Sequence, residues 1–248
     1  SDLLLWRVIK GFCTIMPRMS TQNKDNTALF APIFIVNWST GFIIARYGMP
    51  YSEPMTFLFL RFAGVVACML PVVIWVRAPW PPLRQVGHIA VAGALFQFGY
   101  LGGVWEAVKL GMPAGLSSLI VGLQPILTAV LASLVAEQVS RRQWFGLLLG
   151  IAGVAMVLFE KINVDGLTLA STVFIVAGLF SITLGTLYQK RFCPTFDLRT
   201  GSIVQFTTSA ALCLILAFAF ETREIQWTVP MIGALVWGIG PISIGAMS

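Results

Sequence analysis

Charged residues are scarce in this chain: Lys, Arg, Asp and Glu make up 10% of its 248 residues, whereas 57% are hydrophobic. A soluble globular domain carries roughly a quarter charged residues. The low charge therefore excludes a soluble domain as the body of the protein. Nearly all of the 248 residues lie in apolar stretches and short connections, so these residues leave no room for a separate extramembrane domain.

Residue types that build metal and catalytic sites are also few. His88 is the single histidine, and the four cysteines, at positions 13, 68, 193 and 213, show no CxxC spacing. We interpret the cysteines as packing thiols and expect no metal and no cofactor. An integral membrane enzyme is disfavoured, because no apolar stretch holds a carboxylate pair, a histidine cluster or a nucleophile with a base.

Acidic residues are absent from the interior of the apolar stretches; Glu106, Glu137 and Glu160 occur only at their ends. Proton-coupled export of lipophilic cations calls for a buried carboxylate that binds proton and substrate in turn. The sequence therefore disfavours cationic drugs as substrates. It favours neutral or zwitterionic metabolites, carried by exchange or down a gradient.

Eight apolar stretches are long enough to cross a bilayer, which takes about 20 residues of helix. They cover approximately residues 28–46, 55–76, 87–107, 113–136, 143–160, 167–189, 200–220 and 228–247. Residues 1–27 are polar, and the hydrophilic run after Met19 suggests that residues 1–18 are an upstream extension outside the working fold. The sequence thus predicts an all-α polytopic protein whose partners are the lipid bilayer and a small-molecule substrate.

Basic residues are unequally divided between the two faces of the predicted bundle. One face collects eleven: Arg7, Lys10, Arg18, Lys24, Arg77, Arg84, Arg141, Arg142, Lys190, Arg191 and Arg199. The other collects four: Arg46, Lys109, Lys161 and Arg223. The positive-inside rule then predicts a cytoplasmic N-terminus. Because the basic residues are spread through short loops, the net charge of +6 reflects topology and no nucleic-acid partner is expected.

The chain repeats itself weakly. A shift of 144 positions aligns Ser39 with Thr183 and Pro50 with Pro194. Five spans separate the two copies, so the second copy enters the membrane inverted, as in many secondary transporters. We predict a first repeat at 28–160 and an incomplete second repeat at 165–248, with about eight of an expected ten helices present and the C-terminus truncated. Chance similarity of apolar helices is the alternative.

Several motifs resemble the EamA-like family of the drug/metabolite transporter superfamily. They are the run from Trp38 to Phe42, the pair Arg61 and Phe62, the segment from Ala114 to Pro125, and the glycine-rich run at 144–154. The resemblance covers about residues 28–245. One departure is the Ala136–Glu137 pair, where the family has Gly-Glu, and another is the incomplete second repeat. The resemblance implies a ten-helix carrier of small metabolites, often amino acids, in the cytoplasmic membrane.

Polar side chains inside the apolar stretches are the candidates for substrate binding. Arg61 lies inside the second stretch and needs a partner, a wet cavity or an escape to the interface by snorkelling. Gln205 occupies its repeat-equivalent position. In the fourth stretch, Gln124 lies on a polar stripe, and Pro125 removes a helix hydrogen bond, which predicts a hinge or a bend for packing.

Aromatic side chains beside amides could hold a zwitterion by stacking and hydrogen bonds. Trp105 and Tyr188 could instead belong to the interfacial aromatic belt. The predicted substrate-binding residues are Trp38, Thr40, Arg61, Gln97, Tyr100, Gln124, Tyr188 and Gln205. We predict a secondary transporter that exports amino acids or similar metabolites by alternating access. The alternative is a lipid or lipid-linked sugar translocator with a basic interfacial site at 141–142; the oligomeric state stays open.

Overall fold

The computed structural model describes residues 40–134 and 168–244, together with a few helical residues between 145 and 156. In these ranges the backbone is helical, with one isolated antiparallel bridge between Ser52 and Ile225 in place of any strand. The prediction of an all-α protein is confirmed for this part of the chain. Residues 1–27, Trp38 and most of the fifth predicted span lie outside the described residues.

Residues 40–134 and 168–244 form nine α-helical segments and two π-helical segments. The first five segments are α1 (40–48), α2 (Pro54–Val76), α3 (Leu83–Gly93), π1 (Ala94–Leu101) and α4 (Gly102–Lys109). The other six are α5 (Ala114–Val121), α6 (Gln124–Leu134), α7 (Leu169–Phe192), α8 (Leu198–Phe220), α9 (Val229–Trp237) and π2 (Gly238–Ile244). Segments α3, π1 and α4 follow one another without a break, as do α9 and π2.

Four described stretches are long and apolar enough to cross a membrane: Pro54–Val76, Ala114–Leu131, Leu169–Phe192 and Leu198–Phe220. A shorter apolar helix covers Val229–Ser243. The chain is therefore a polytopic membrane protein. The third predicted span, 87–107, coincides with the continuous run from α3 to α4.

Local sequence signals set the helix ends. Pro54 begins α2, at a position where its missing N–H costs nothing. Arg77 ends α2 in the left-handed region (φ 52°) and returns its N–H to the last turn. Thr168 and Ser171 form a reciprocal capping box on α7, and the Asp197 carboxylate accepts the Arg199 N–H at the start of α8. The helix ends consequently lie within a few residues of the predicted boundaries.

Helices α2 and α8 pack as an antiparallel pair. At one end, the Thr56 hydroxyl at the start of α2 donates to Glu221, which follows α8 (2.7 Å). At the other end, the Thr200 hydroxyl at the start of α8 donates to the Pro79 carbonyl beyond α2 (3.0 Å). The two helices therefore run in opposite directions over their whole length, and we call these ends the Glu53 face and the Thr195 face.

The run from α3 to α4 connects the same two faces. Gln85 at its start donates to the Thr195 carbonyl (2.6 Å), and Lys109 at its end lies 3.5 Å from the Glu53 carboxylate. Helix α7 ends at the Thr195 face, three residues before Thr195, and α9 begins after the loop on the Glu53 face. These contacts assign a direction to α2, to the run from α3 to α4, and to α7, α8 and α9.

Two glycines bring helix backbones into contact. A Cβ at Gly93 would lie 2.5 Å from the Gln205 Cα of α8, and one at Gly103 would lie 2.6 Å from the Phe174 carbonyl oxygen of α7. Small residues are what permit such close packing between membrane helices.

Trp105, 1% exposed, stacks on Phe57 at 4.5 Å in the core. The interfacial-belt interpretation of Trp105 is therefore wrong.

Candidate substrate site

Arg61 is the charged centre of a buried polar cluster. It is the eighth residue of α2 and is 5% exposed. Its Nε donates to the Gly238 carbonyl (3.1 Å) and its Nη2 donates to the Ser243 hydroxyl (3.1 Å), both in π2. The guanidinium therefore lies inside the bundle instead of snorkelling to the interface.

The π2 segment supplies the acceptors of this cluster. The Gly238 carbonyl accepts a second hydrogen bond from the Ser243 hydroxyl (2.8 Å), five residues further on. Pro241, inside the same segment, has no N–H to contribute to regular helix bonding. A π segment widens the turn and leaves backbone groups available to side chains, which is why such segments are frequent at functional sites.

The π1 segment lies on another side of the cluster. It carries Tyr100, which is buried and close enough to Arg61 for the two groups to interact electrostatically. The Ser181 hydroxyl of α7 donates to the Leu95 carbonyl of π1 (2.8 Å). Gln97 is half-buried in the same segment, and its side chain makes no hydrogen bond to a described residue. Both π segments therefore carry residues of the predicted site or of its hydrogen-bond network.

Thr40 joins this region through Trp237. The indole Nε1 of Trp237, the residue before π2, donates to the Thr40 hydroxyl of α1 (3.0 Å). We name Arg61, Tyr100, Gly238 and Ser243 the Arg61 cluster, with Thr40 beside it through Trp237. Sequence reasoning missed Trp237, Gly238 and Ser243, since small residues and one indole in an apolar run give no local signal of a polar site.

Gln205 takes a different set of partners from Arg61. Its Nε2 donates to Gln189 Oε1 of α7 (3.3 Å), while its backbone packs on Gly93. One turn further on, the Ser209 hydroxyl donates to the Gly93 carbonyl (3.0 Å). The two repeat-equivalent residues therefore share no hydrogen-bond partner among the described residues.

The fourth predicted span is interrupted. Helix α5 ends at Val121 and α6 begins at Gln124, with a turn at residues 122 and 123 and Pro125 in the first turn of α6. The Gln124 amide lies 3.4 Å from the hydroxyls of Thr128 and of Thr186 in α7. Gln124 therefore reaches from the predicted polar stripe to a neighbouring helix.

Tyr188 lies at the Thr195 face and not in the Arg61 cluster. Its hydroxyl is 2.7 Å from His88 Nδ1, and its ring packs on Phe192 with centroids 4.6 Å apart. His88 also stacks on Phe192 at 5.1 Å. Of the predicted residues, the structure thus groups Thr40, Arg61 and Tyr100, and places Gln124, Gln205 and Tyr188 in separate contacts.

The Glu53 face holds a feature that sequence reasoning did not find. The Glu221 carboxylate accepts hydrogen bonds from the Met55 N–H (2.7 Å), the Thr56 N–H (2.8 Å) and the Thr56 hydroxyl. In the reverse sense, the Glu53 carboxylate accepts from the Thr222 N–H (2.6 Å) and hydroxyl (3.0 Å). We call this reciprocal pair the carboxylate clasp; it ties the start of α2 to the loop after α8.

A bundle of spanning helices that encloses hydrogen-bonding side chains in its apolar interior has the construction of a membrane transporter. Comparison with known proteins agrees, and the chain belongs to the EamA-like transporter family, whose model matches residues 26–159. The family consists of transporters of small molecules.

Relatives extend over most of the chain. A protein of Salmonella typhimurium named "Probable amino-acid metabolite efflux pump" is 29% identical over 206 residues, 83% of this chain and 66% of its own length. The "Uncharacterized transporter YvbV" of Bacillus subtilis is 29% identical over 225 residues, 88% of this chain and 72% of its own length. The "Uncharacterized inner membrane transporter YedA" of Escherichia coli K12 is 25% identical over 194 residues, 78% of this chain and 62% of its own length.

A solved structure, described only as the crystal structure of a protein, superposes with a TM-score of 0.64 at 21% identity. The superposition covers 90% of this chain and 77% of the chain in the solved structure. The likeness shows a shared fold. The chain spans about two thirds of the length of these curated relatives.

Proposed function

We propose that this protein is a secondary transporter of the cytoplasmic membrane that exports amino acids or similar small metabolites by alternating access. The observation that carries the proposal is the Arg61 cluster, a charged and hydrogen-bonding centre that joins α2, π1 and π2 in a largely apolar bundle. Family membership and the efflux names of the relatives support the same function.

Alternating access here would use an inverted repeat, and three observations support one. Helices α2 and α8, which the shift of 144 relates, run antiparallel. The two π segments begin at Ala94 and Gly238, which differ by 144. Finally, equivalent residues make similar contacts. Arg61 packs on Gly238, and its equivalent Gln205 packs on Gly93, which directly precedes Ala94, the equivalent of Gly238. Equivalent helices would then rock about a site between the repeats.

The charge distribution supports a cytoplasmic Thr195 face. Among described residues, this face carries five basic side chains against one acidic: Arg77, Arg84, Lys190, Arg191 and Arg199 against Asp197. The Glu53 face carries three basic against four acidic: Arg46, Lys109 and Arg223 against Glu53, Glu106, Glu221 and Glu224. By the positive-inside rule, this distribution supports an outer location for the carboxylate clasp.

Among the predicted substrate residues, Thr40, Arg61 and Tyr100 are the strongest candidates. Arg61 donates to π2, Tyr100 interacts electrostatically with Arg61, and Thr40 accepts from Trp237, the residue before π2. Gln97 is the next, since it lies in π1 with no described hydrogen-bond partner. Gln124, Tyr188, Gln205 and Trp38 remain candidates, with Pro125 as the hinge that the break before α6 supports.

Counterflow of labelled amino acids into liposomes that contain the full-length protein tests the proposal. Flux of one or more amino acids is expected, and the Gln97→Ala variant should raise the KM several-fold. Gln226→Ala, an exposed glutamine in the loop after α8, is the matched control and should leave the KM unchanged. No flux across a broad panel would contradict the function, and flipping of a labelled lipid without solute flux would favour a lipid translocator.

A further inference from the structure

The interior of the described helix bundle carries a positive charge without a matching negative one. Arg61 is the charged side chain in the interior of the described helices; the other charged residues of that part lie at helix ends or in loops. Its partners, the Gly238 carbonyl and the Ser243 hydroxyl, are neutral dipoles. The ion pair found in the same part of the chain, between Lys109 and Glu53, lies at the Glu53 face.

A buried cation is costly unless an anion accompanies it. Charged residues within membrane helices pair with one another or with backbone carbonyls, as Arg61 does with Gly238, and they mark substrate and ion pathways. The described helices offer Arg61 no carboxylate in their interior, because their acidic residues are at the ends. A negatively charged group of the transported molecule could supply the missing charge.

The orientation of the guanidinium leaves one edge for such a group. An arginine has five N–H donors in a plane, arranged as a side edge of Nε with Nη2 and an end edge of Nη1 with Nη2. The side edge is taken by Gly238 and Ser243. No hydrogen bond from Nη1 reaches a described residue, so the end edge has the parallel N–H pair that binds a carboxylate through both of its oxygens.

On this basis, and resting on the proposed transport function, we propose that the end edge of Arg61 binds the carboxylate of the transported metabolite. The protein would then select molecules that carry a carboxylate, either as zwitterionic amino acids or as simple organic acids. Gly238 and Ser243 act as positioning groups that hold the guanidinium toward the carboxylate. Tyr100 of π1 interacts electrostatically with the same guanidinium.

The test compares competitors that differ in the carboxylate. In liposomes with the full-length protein, the amino acid with the largest counterflow is competed by the unlabelled amino acid, by its carboxamide and by its amino-free oxo acid. For the wild type, the amino acid should compete at least about tenfold better than the carboxamide, because the amide replaces a charge-assisted bidentate contact by a neutral one. In Arg61→Gln this ratio should fall to about twofold, through weaker binding of the acid.

Matched variants separate recognition from structure. Arg46→Gln removes an exposed arginine of α1 and should keep the wild-type ratio. Should Arg61→Gln fail to fold, Arg61→Lys keeps the charge but loses the planar fork, and it should weaken competition by the acid about tenfold with the carboxamide unchanged. Unchanged binding of the acid by Arg61→Lys would overturn the proposal.

Two further outcomes would overturn it. One is a wild type that transports amino acids but does not distinguish acid from carboxamide; the other is an Arg61→Gln variant that weakens both competitors equally, as expected if Arg61 only ties α2 to π2. A wild type without any amino acid flux would instead contradict the proposed function itself. Competition by the oxo acid would support a site for simple acids. If the oxo acid does not compete while the amino acid still competes better than its carboxamide, the result would support a site for zwitterions.

Discussion

Replacing Glu221 by glutamine should destabilise the protein through the carboxylate clasp. The carboxylate accepts three hydrogen bonds from Met55 and Thr56 at the N-terminus of α2, where the helix dipole favours a negative charge. A glutamine keeps one acceptor oxygen but turns an NH2 group toward N–H donors. Hydrogen bonds to charged groups contribute about 1.5 to 3 kcal/mol each, so the substitution should cost about 2 to 3 kcal/mol, less than the sum of three bonds.

Thermal unfolding in detergent, followed by tryptophan fluorescence, measures this effect. For a chain of this size, about 1 kcal/mol shifts the Tm by roughly 2 to 4 °C, so Glu221→Gln should lower it by roughly 4 to 12 °C. Glu224→Gln is the matched control: Glu224 is exposed in the same loop, and its loss should change stability by less than about 0.5 kcal/mol. Equal Tm values for the two variants would refute the reasoning about the clasp.

Two other substitutions test the packing and the charge of the same bundle. Partial burial by itself raises the pKa of Glu53, but hydrogen bonds from Thr222 and its neighbour outweigh this and hold the pKa below 4.5. The hydrogen bonds to the Glu53 carboxylate therefore stabilise the fold fully at neutral pH, and this contribution is lost as the pH falls below about 4.5 and through the lowered folded-state pKa of Glu53. The Tm of the wild type should then drop in the acid range more than that of Glu53→Gln. Gly93→Ala should cost about 2 kcal/mol, since its Cβ would lie 2.5 Å from the Gln205 Cα. A Cβ at Gly233 meets nothing within 4 Å, so Gly233→Ala should be neutral or stabilise by up to about 1 kcal/mol in the same unfolding assay.

Helix positions followed from the sequence because their causes are local. The length of each apolar stretch sets its capacity to cross the bilayer, and residues such as Pro54, Thr168 and Asp197 mark helix starts through their own backbone or side-chain chemistry. The interruption near Pro125 was predictable for the same reason, although the turn itself lies at residues 122 and 123. None of these signals requires knowledge of the neighbouring helices.

The candidate site was only half predictable. Arg61 stands out in the sequence, because a charge in an apolar run always demands a partner. Gly238 and Ser243 could not be chosen as its partners, since the contact joins residues 177 and 182 positions apart. For Tyr188, too, the sequence indicated no partner: its spacing suggested a substrate residue, and only the packing shows that its hydroxyl lies beside His88.

The sequence by itself determined that this chain is a helical membrane protein, because the free energy of placing a segment in the bilayer is nearly a sum over its own residues. Only the tertiary structure decided which polar groups meet. Glu221 is an ordinary loop acid in the sequence, and it becomes the N-terminal partner of α2 because α2 and α8 pack antiparallel. Hydrogen bonds between distant segments depend on helix direction and register, which are set when the whole bundle packs.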